Sequence, residues 1–234
     1  MARRRNEELN EAMAQEIKTV ARRLMTEEGT NGLSIRGIAK VLEMTPPAIY
    51  HYFPSLDDLI TALIVDSFNA LADTLEAAQA QSAAATAGGK LLDVMLAYRW
   101  WAVEHPVDFQ LVYGNPIPGY VAPREVTVPA VVRTFVVAVS LTEQAIQSGE
   151  LVPSPPYNYI PPVIEDRLKE LIGAGQYPIS TLSMYLVFVL WTQVHGIIYL
   201  EIYNHIQSNV ADVELFYRTQ VHNMLLTMGM HMTG

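Results

Sequence analysis

Residues 33–59 read Leu-Ser-Ile-Arg-Gly-Ile-Ala-Lys-Val-Leu-Glu-Met-Thr-Pro-Pro-Ala-Ile-Tyr-His-Tyr-Phe-Pro-Ser-Leu-Asp-Asp-Leu. Ile35, Ile38, Ala39 and Leu42 fall at offsets i, i+3, i+4 and i+7, which predicts one short amphipathic helix with Ser34 as its cap. Thr45 followed by Pro46 then starts a second helix, because proline suits the first helical position. Pro47 is also tolerated there, since first-turn amides have no partner within a helix. Only Glu43-Met44 separates the two. With small Ala39 permitting close approach, and Ile49 and Phe53 facing one core, the pair predicts a helix-turn-helix. The second helix of that motif lies in the DNA major groove. Its exposed face over 45–52 would present Thr45, Pro46, Pro47, Ala48, Tyr50 and His51. Those groups suit thymine methyls and phosphate oxygens, whereas the Arg-to-guanine pairing is absent from this helix, and Arg36 near the start of the preceding one is the best candidate to supply it. Arg3, Arg4 and Arg5 read as a flexible basic arm able to add phosphate or minor-groove contacts.

Outward from this stretch the period stays helical. Leu9, Met13, Ile17, Val20, Ala21 and Leu24 mark one amphipathic helix stopped at Gly29. Ser55-Leu56-Asp57-Asp58 opens a fourth helix that runs to about Gln81, with both acids in the turn that the dipole favours. Helices are further predicted over 90–104, 107–113, 126–147, 179–207 and 212–228, with loops at 115–123 and 152–162. No strand alternation and no internal repeat is legible. The fold class expected is all-α. A three-helix head in residues 1–56 precedes a larger helical domain in residues 57–234.

Composition narrows the function classes. The 234 residues contain no cysteine, which excludes disulfide-stapled modules, thiolate zinc sites and cysteine nucleophiles. Net charge is −9, and the acidic excess sits beyond residue 60, leaving the N-terminal part nearly balanced. Such a chain can bind DNA only where its few cations are concentrated. Half the residues are apolar and mean hydropathy is +0.17, so an apolar face is expected to meet a partner. The basic start leads into an acidic helical pattern rather than an apolar segment, so it does not read as a signal peptide. The apolar run 185–200 falls short of the ~20 residues of a membrane span. A cytoplasmic protein without membrane contact is the expectation.

The run from Leu33 to Leu59, down to Tyr50-x-x-Phe53 and Ser55, resembles the DNA-binding segment of the tetracycline-repressor (TetR) family. The resemblance covers about the first sixty residues. It implies that Ser34, Arg36, Thr45, Pro46, Pro47, Ala48, Tyr50 and His51 touch DNA, with Tyr50 on a phosphate. Leu56 departs from the pattern, since the family usually places Lys or Arg there, and one phosphate contact is lost. Trp191-Thr-Gln-Val-His195-Gly196, followed by Tyr199, resembles the tryptophan-histidine-glycine subgroup of TetR C-terminal domains. By the same resemblance the last two helices pair with those of a second subunit.

Tyr98, Trp101, Phe109, Tyr113, Trp191 and His195 are the candidate lining of an effector pocket for a small apolar or aromatic molecule, with core packing as the rival reading. Of the tandem Trp100-Trp101, only one can face inward, and Trp101, three residues from Tyr98, is the choice. Glu201 and His205 stand at i, i+4 but lack a third ligand, so they read as a surface pair rather than a metal site. No nucleophile elbow, phosphate loop or dinucleotide fingerprint is present, and Asp57-Asp58 is explained by capping, so no enzyme, metal or cofactor is expected. The expected function is a ligand-responsive repressor, homodimeric and released from a palindromic double-stranded DNA operator. The alternative is a constitutive activator or architectural protein without an effector.

Overall fold

The structure, a computed structural model, describes residues 2–115 and 117–232, with the side chains of residues 2, 3, 5, 6 and 31 outside that description. Among the described residues the chain is helical, with one isolated bridge, Leu151 to Met230, and no strand. The helices are α1 (Ala2–Glu28), α2 (Ile35–Val41), α3 (Pro46–Tyr50), α4 (Leu56–Gln81) and α5 (Ala87–Glu104). There follow α6 (Pro106–Tyr113), α7 (Arg124–Ser148), α8 (Pro162–Gly175), α9 (Thr181–Ile202) and α10 (Val213–Met228). All-α architecture is thus as the periodicity predicts.

The chain forms two compact units, residues 1–69 with 105–130, and residues 70–104 with 131–234. In the first, α1 buries Ile17, Val20, Ala21, Leu24 and Met25. Its apolar stripe does not extend to the start, because Leu9 is exposed. The helix begins at Ala2, so the Arg3–Arg5 stretch is not an arm separate from it, although the side chains of Arg3 and Arg5 lie outside the described residues. Lys18 on α1 pairs with Asp66 on α4 at 2.7 Å. One turn later Arg22 donates to Asp108 on α6 at 2.8 Å, and the Ser67 hydroxyl donates to the same carboxylate at 2.5 Å. These bonds fix α1, α4 and α6 in one unit.

In the second unit Arg99 on α5 forks onto Glu201 of α9, at 2.8 and 2.6 Å, with both side chains largely buried. Tyr217 of α10 is fully buried and its hydroxyl donates to the Met95 carbonyl at 2.9 Å. Glu143 of α7 accepts from the Ser180 amide at 2.8 Å and from its hydroxyl at 2.6 Å, which holds the N-terminus of α9. Burial alone would push the Glu143 carboxyl up, but the hydrogen bonds from Ser180 more than offset this and hold it below the usual range.

Four expectations need correction. The α8 helix lies in a stretch left unassigned, where flanking prolines and glycines mask a helix with a single fully buried residue, Leu168. The helix predicted over 126–147, which a proline at 129 would be expected to start or interrupt, instead begins at Arg124 and continues through Pro129 as α7. Glu201 is not a surface partner of His205: α9 ends at Ile202, His205 lies beyond it, and the carboxylate belongs to Arg99. The length argument against a membrane span also fails for α9. By length and composition α7 and α9 are both long and apolar enough to cross a bilayer, although only 44% and 33% of their apolar windows are buried.

Candidate nucleic-acid interface and effector site

The candidate interface is built by three local devices. Ser34 is extended and its hydroxyl accepts the Gly37 amide at 3.1 Å, so one of its lone pairs is committed to capping α2 while its O–H can still donate outward. The turn after α2 is a Schellman motif: the Glu43 amide reaches the Lys40 carbonyl at 3.4 Å and the Met44 amide the Ala39 carbonyl at 2.9 Å. Glu43 therefore sits at φ +54°, where glycine is the usual choice. This places Thr45 as the extended residue before α3.

Five residues make up α3, anchored by one fully buried side chain, Ile49. Phe53 follows it into the core, its amide bonded to the Ile49 carbonyl at 3.0 Å. Everything else on α3 is turned at least partly outward. Thr45, Pro47, Tyr50 and His51 are exposed, and Pro46 and Ala48 are half-buried. Thr45 makes no side-chain capping bond, so its hydroxyl and methyl are uncommitted. His51 meets the edge of Tyr52 at 5.3 Å between ring centroids. Arg36 is exposed on the second residue of α2 and makes no ion pair among the described residues. The eight predicted residues thus lie on one short stretch, 34–51, within one unit. Lys40, exposed in the last turn of α2, is a further cation that the sequence reading passed over. Of the α1 cations, Lys18 and Arg22 are committed to Asp66 and Asp108.

Five of the six candidate effector residues fall into two clusters, one in each unit, and the sixth, Trp101, is buried on α5 of the second unit. In the second unit the Tyr98 hydroxyl and His195 Nδ1 are 2.8 Å apart, and the Trp191 and His195 rings lie 5.1 Å apart. Phe135 of α7 extends that cluster, 5.5 Å from Trp191 and 5.6 Å from Phe188. Partial burial holds the His195 imidazolium below its ordinary pKa. Trp101 is 2% exposed and Trp100 56%, the inward choice the spacing favoured. In the first unit Phe109, fully buried, lies 5.3 Å from Tyr113, which in turn meets Phe68 at 5.7 Å. Phe68, Phe135 and Phe188 were missed. Only Phe188, three residues before Trp191, carried a spacing signal.

The first unit also holds an open cleft of about 550 Å³ lined by Asp58, Thr61, Ala62, Val65, Asp66, Pro123, Glu125 and Val126. None of the six candidates lines it, and its three carboxylates suit no apolar guest. No group of three or more metal-ligating side chains occurs among the described residues.

Known proteins resemble both ends of the chain. The profile described as bacterial regulatory proteins, tetR family, matches residues 17–63. The one described as tetracyclin repressor-like, C-terminal domain, matches residues 91–224. HTH-type transcriptional regulators of Mycobacterium bovis and Mycobacterium tuberculosis are each 28% identical over 222 residues, 94% of this chain and 94% of theirs. Among solved structures, the regulatory protein SCO4313 is 26% identical with a TM-score of 0.77, covering 94% of this chain and 98% of that one. The TetR family transcriptional regulator PfmR of Thermus thermophilus, 15% identical with a TM-score of 0.58 over 90% of this chain and 97% of its own, shares the fold.

Proposed function

We propose, from the premise that the chain belongs to the TetR family of DNA-binding transcriptional regulators, that it is a cytoplasmic repressor released from a palindromic operator by a small, largely apolar effector. The observation that carries this is the presentation of α3: one buried anchor, Ile49, with Thr45, Pro47, Tyr50 and His51 outward. A two-fold dimer would set two such helices ~34–36 Å apart, one turn of duplex, matching a palindrome. Residues 1–56 form the proposed DNA-binding head and residues 57–234 the effector and dimer domain. The proposed contacts are Ser34, Arg36, Thr45, Pro46, Pro47, Ala48, Tyr50 and His51, with Arg36 reading a base and Tyr50 a phosphate.

Dimerisation through α9 and α10 is supported by apolar side chains left outward there, Tyr199, Leu200, Tyr203, Leu215 and Leu226 among them. Two-thirds of the apolar window of α9 is unburied within one chain, and a second subunit would cover it. The proposed effector contacts are Tyr98, Trp101, Trp191 and His195 in the second unit, in line with the tryptophan-histidine-glycine pattern, and Phe109 and Tyr113 in the first. A hundredfold loss of operator affinity on effector binding requires a preference of ~3 kcal/mol for the released state. The proposed lever is α4, which contributes residues to both units.

The test is a binding-site selection from random duplex DNA, followed by titration of variants on the selected and on random sequences. Tyr50→Phe is expected to weaken both about equally, as loss of a phosphate contact does, whereas Arg36→Ala weakens the selected site more. Equal losses for Arg36→Ala on both would remove its base-reading role. Native mass measurement of small molecules copurifying with the protein tests the effector, and Trp101→Ala should lower affinity for whatever is found.

A further inference from the structure

We propose that Asp108 is a positioning residue for DNA recognition: by holding Arg22 it fixes how α1 is rolled against α4 and α6, and so makes binding selective for one spacing between half-sites. This rests on the reading of a dimer that places one α3 in each half of a palindrome, and adds what keeps each α3 at its angle.

A chain of net −9 with 15 Lys and Arg has few cations to set against a polyanion, yet α1 turns two of them inward. Lys18 and Arg22 stand one turn apart on one face of the helix and reach different partners. Lys18 Nζ donates to Asp66 of α4 at 2.7 Å, and Arg22 Nε donates to Asp108 of α6 at 2.8 Å. Asp108 is itself held in place. Ser67 of α4, fully buried, donates to the same carboxylate oxygen at 2.5 Å. The next residue on α6, Phe109, is buried 5.3 Å from Tyr113, and Tyr113 meets Phe68, the neighbour of Ser67, at 5.7 Å.

Part-exposed ion pairs add little to stability, and the Arg22 side chain is 28% exposed. What this pair supplies is direction. The first three helices join α4 covalently only through residues 51–55. An ammonium bonded to α4 is a compact point charge about which a helix can still turn, whereas a planar guanidinium bonded to a third helix removes that rotation. Since α1 packs on α2 and α2 on α3, a roll of α1 would turn α3 with it. One base pair added between half-sites separates them by ~3.4 Å and rotates one against the other by ~35°. A head free to roll follows such a change, and a latched head does not. Loss of the latch therefore shows as tolerance of spacing rather than as loss of contacts.

The experiment uses the full-length protein and a palindromic duplex obtained by selection from a random library. Affinity is measured by fluorescence anisotropy for that duplex, for the same duplex with one base pair inserted or removed at its centre, and for a single half-site. The native protein is expected to lose about tenfold or more on either altered spacing. Asp108→Asn should weaken binding to the selected palindrome by about tenfold, bind all three spacings within about threefold of one another, and keep native affinity for the single half-site. Ser67→Ala, which frees the same carboxylate on its other side, should shift in the same direction by a smaller factor. Lys18→Gln leaves the bond to α6 in place and should keep the native preference for one spacing. A preference in Asp108→Asn as sharp as in the native protein overturns the positioning role. So does a loss on the single half-site as large as that on the palindrome, which would mark local unfolding of the head, or a Lys18→Gln variant as tolerant as Asp108→Asn. Indifference of the native protein to spacing overturns the palindrome reading itself, and the positioning role falls with it.

Discussion

Glu43 shows how one residue carries the geometry of a motif. Its φ of +54° closes the Schellman turn that aims α3, and a Cβ in that region is strained. Glu43→Gly relieves the strain but gives the unfolded chain more freedom, and the net expectation is a gain of ~0.5–1 kcal/mol in unfolding free energy. Denaturant titration checks it, and a loss of stability would mean that the Glu43 side chain makes a contact worth more than the strain. His195 is a second case. Its folded-state pKa lies below its ordinary value through burial, so the unfolded chain takes up the proton first as pH falls. Stability is then full above about pH 6.5 and declines as pH drops through and below that value. The melting temperature of the native protein should fall more between pH 7.5 and 5.5 than that of His195→Gln, in which this proton cannot bind. Parallel curves would show that the ring is solvated. Neither feature was legible in the sequence. A left-handed glutamate lacks the glycine that signals such a turn, and burial of one imidazole depends on Tyr98 and Trp191, remote from it or a turn away.

At the level of elements, legibility followed how much of the code was local. The start of α2 at Ser34, the Thr45-Pro46 start of α3 and the Ser55 cap of α4 were readable, because each depends on residues within a turn of one another. The end of α4 at Gln81 was readable too, since the small-residue link that follows breaks the period. By contrast α8 carries local signals that the surrounding prolines and glycines obscure, Pro162 at its start and the Glu165–Lys169 pair one turn apart, while the course of α7 through Pro129 runs against the local helix-breaking signal of proline. The Arg99–Glu201 pair carries no local signal: two residues 102 apart in sequence, neither flagged for the other. It ties α5 to α9 with a bidentate bond in a largely buried setting. Glu201→Ala leaves the guanidinium largely buried with the long 3.7 Å contact to the exposed Glu214 and the Tyr217 ring 5.9 Å away, and the expected cost is ~3–5 kcal/mol. Replacing both partners, Arg99→Met with Glu201→Met, should recover most of that loss in thermal melting. A double variant no better than the single one would assign the cost to lost packing instead.

For the whole molecule the governing quantity is charge. A chain of net −9 that binds a polyanion must do so with few cations on one face, so its affinity should depend weakly on salt for a DNA-binding protein. Lys18 and Arg22 are engaged with Asp66 and Asp108, which leaves Arg23, Arg36 and Lys40 as the cations available on α1 and α2 beyond the first turns of α1. Three per protomer in a dimer give a slope of log K against log salt near −5, at about −0.9 per phosphate. Lys40→Gln should make that slope shallower by about 2, because a dimer loses two contacts at once, whereas Lys18→Gln should leave it unchanged and lower stability only. The measurement is a set of anisotropy titrations at four salt concentrations on one selected duplex. A slope near −11 would place the Arg3–Arg5 stretch on the phosphates as well, at about −0.9 per phosphate, and equal slope changes for Lys18→Gln and Lys40→Gln would show that the α1 cations exchange their internal carboxylates for DNA. On the proposed reading the acidic excess works against binding to arbitrary duplex, and discrimination is left to the proposed contact face between Ser34 and His51.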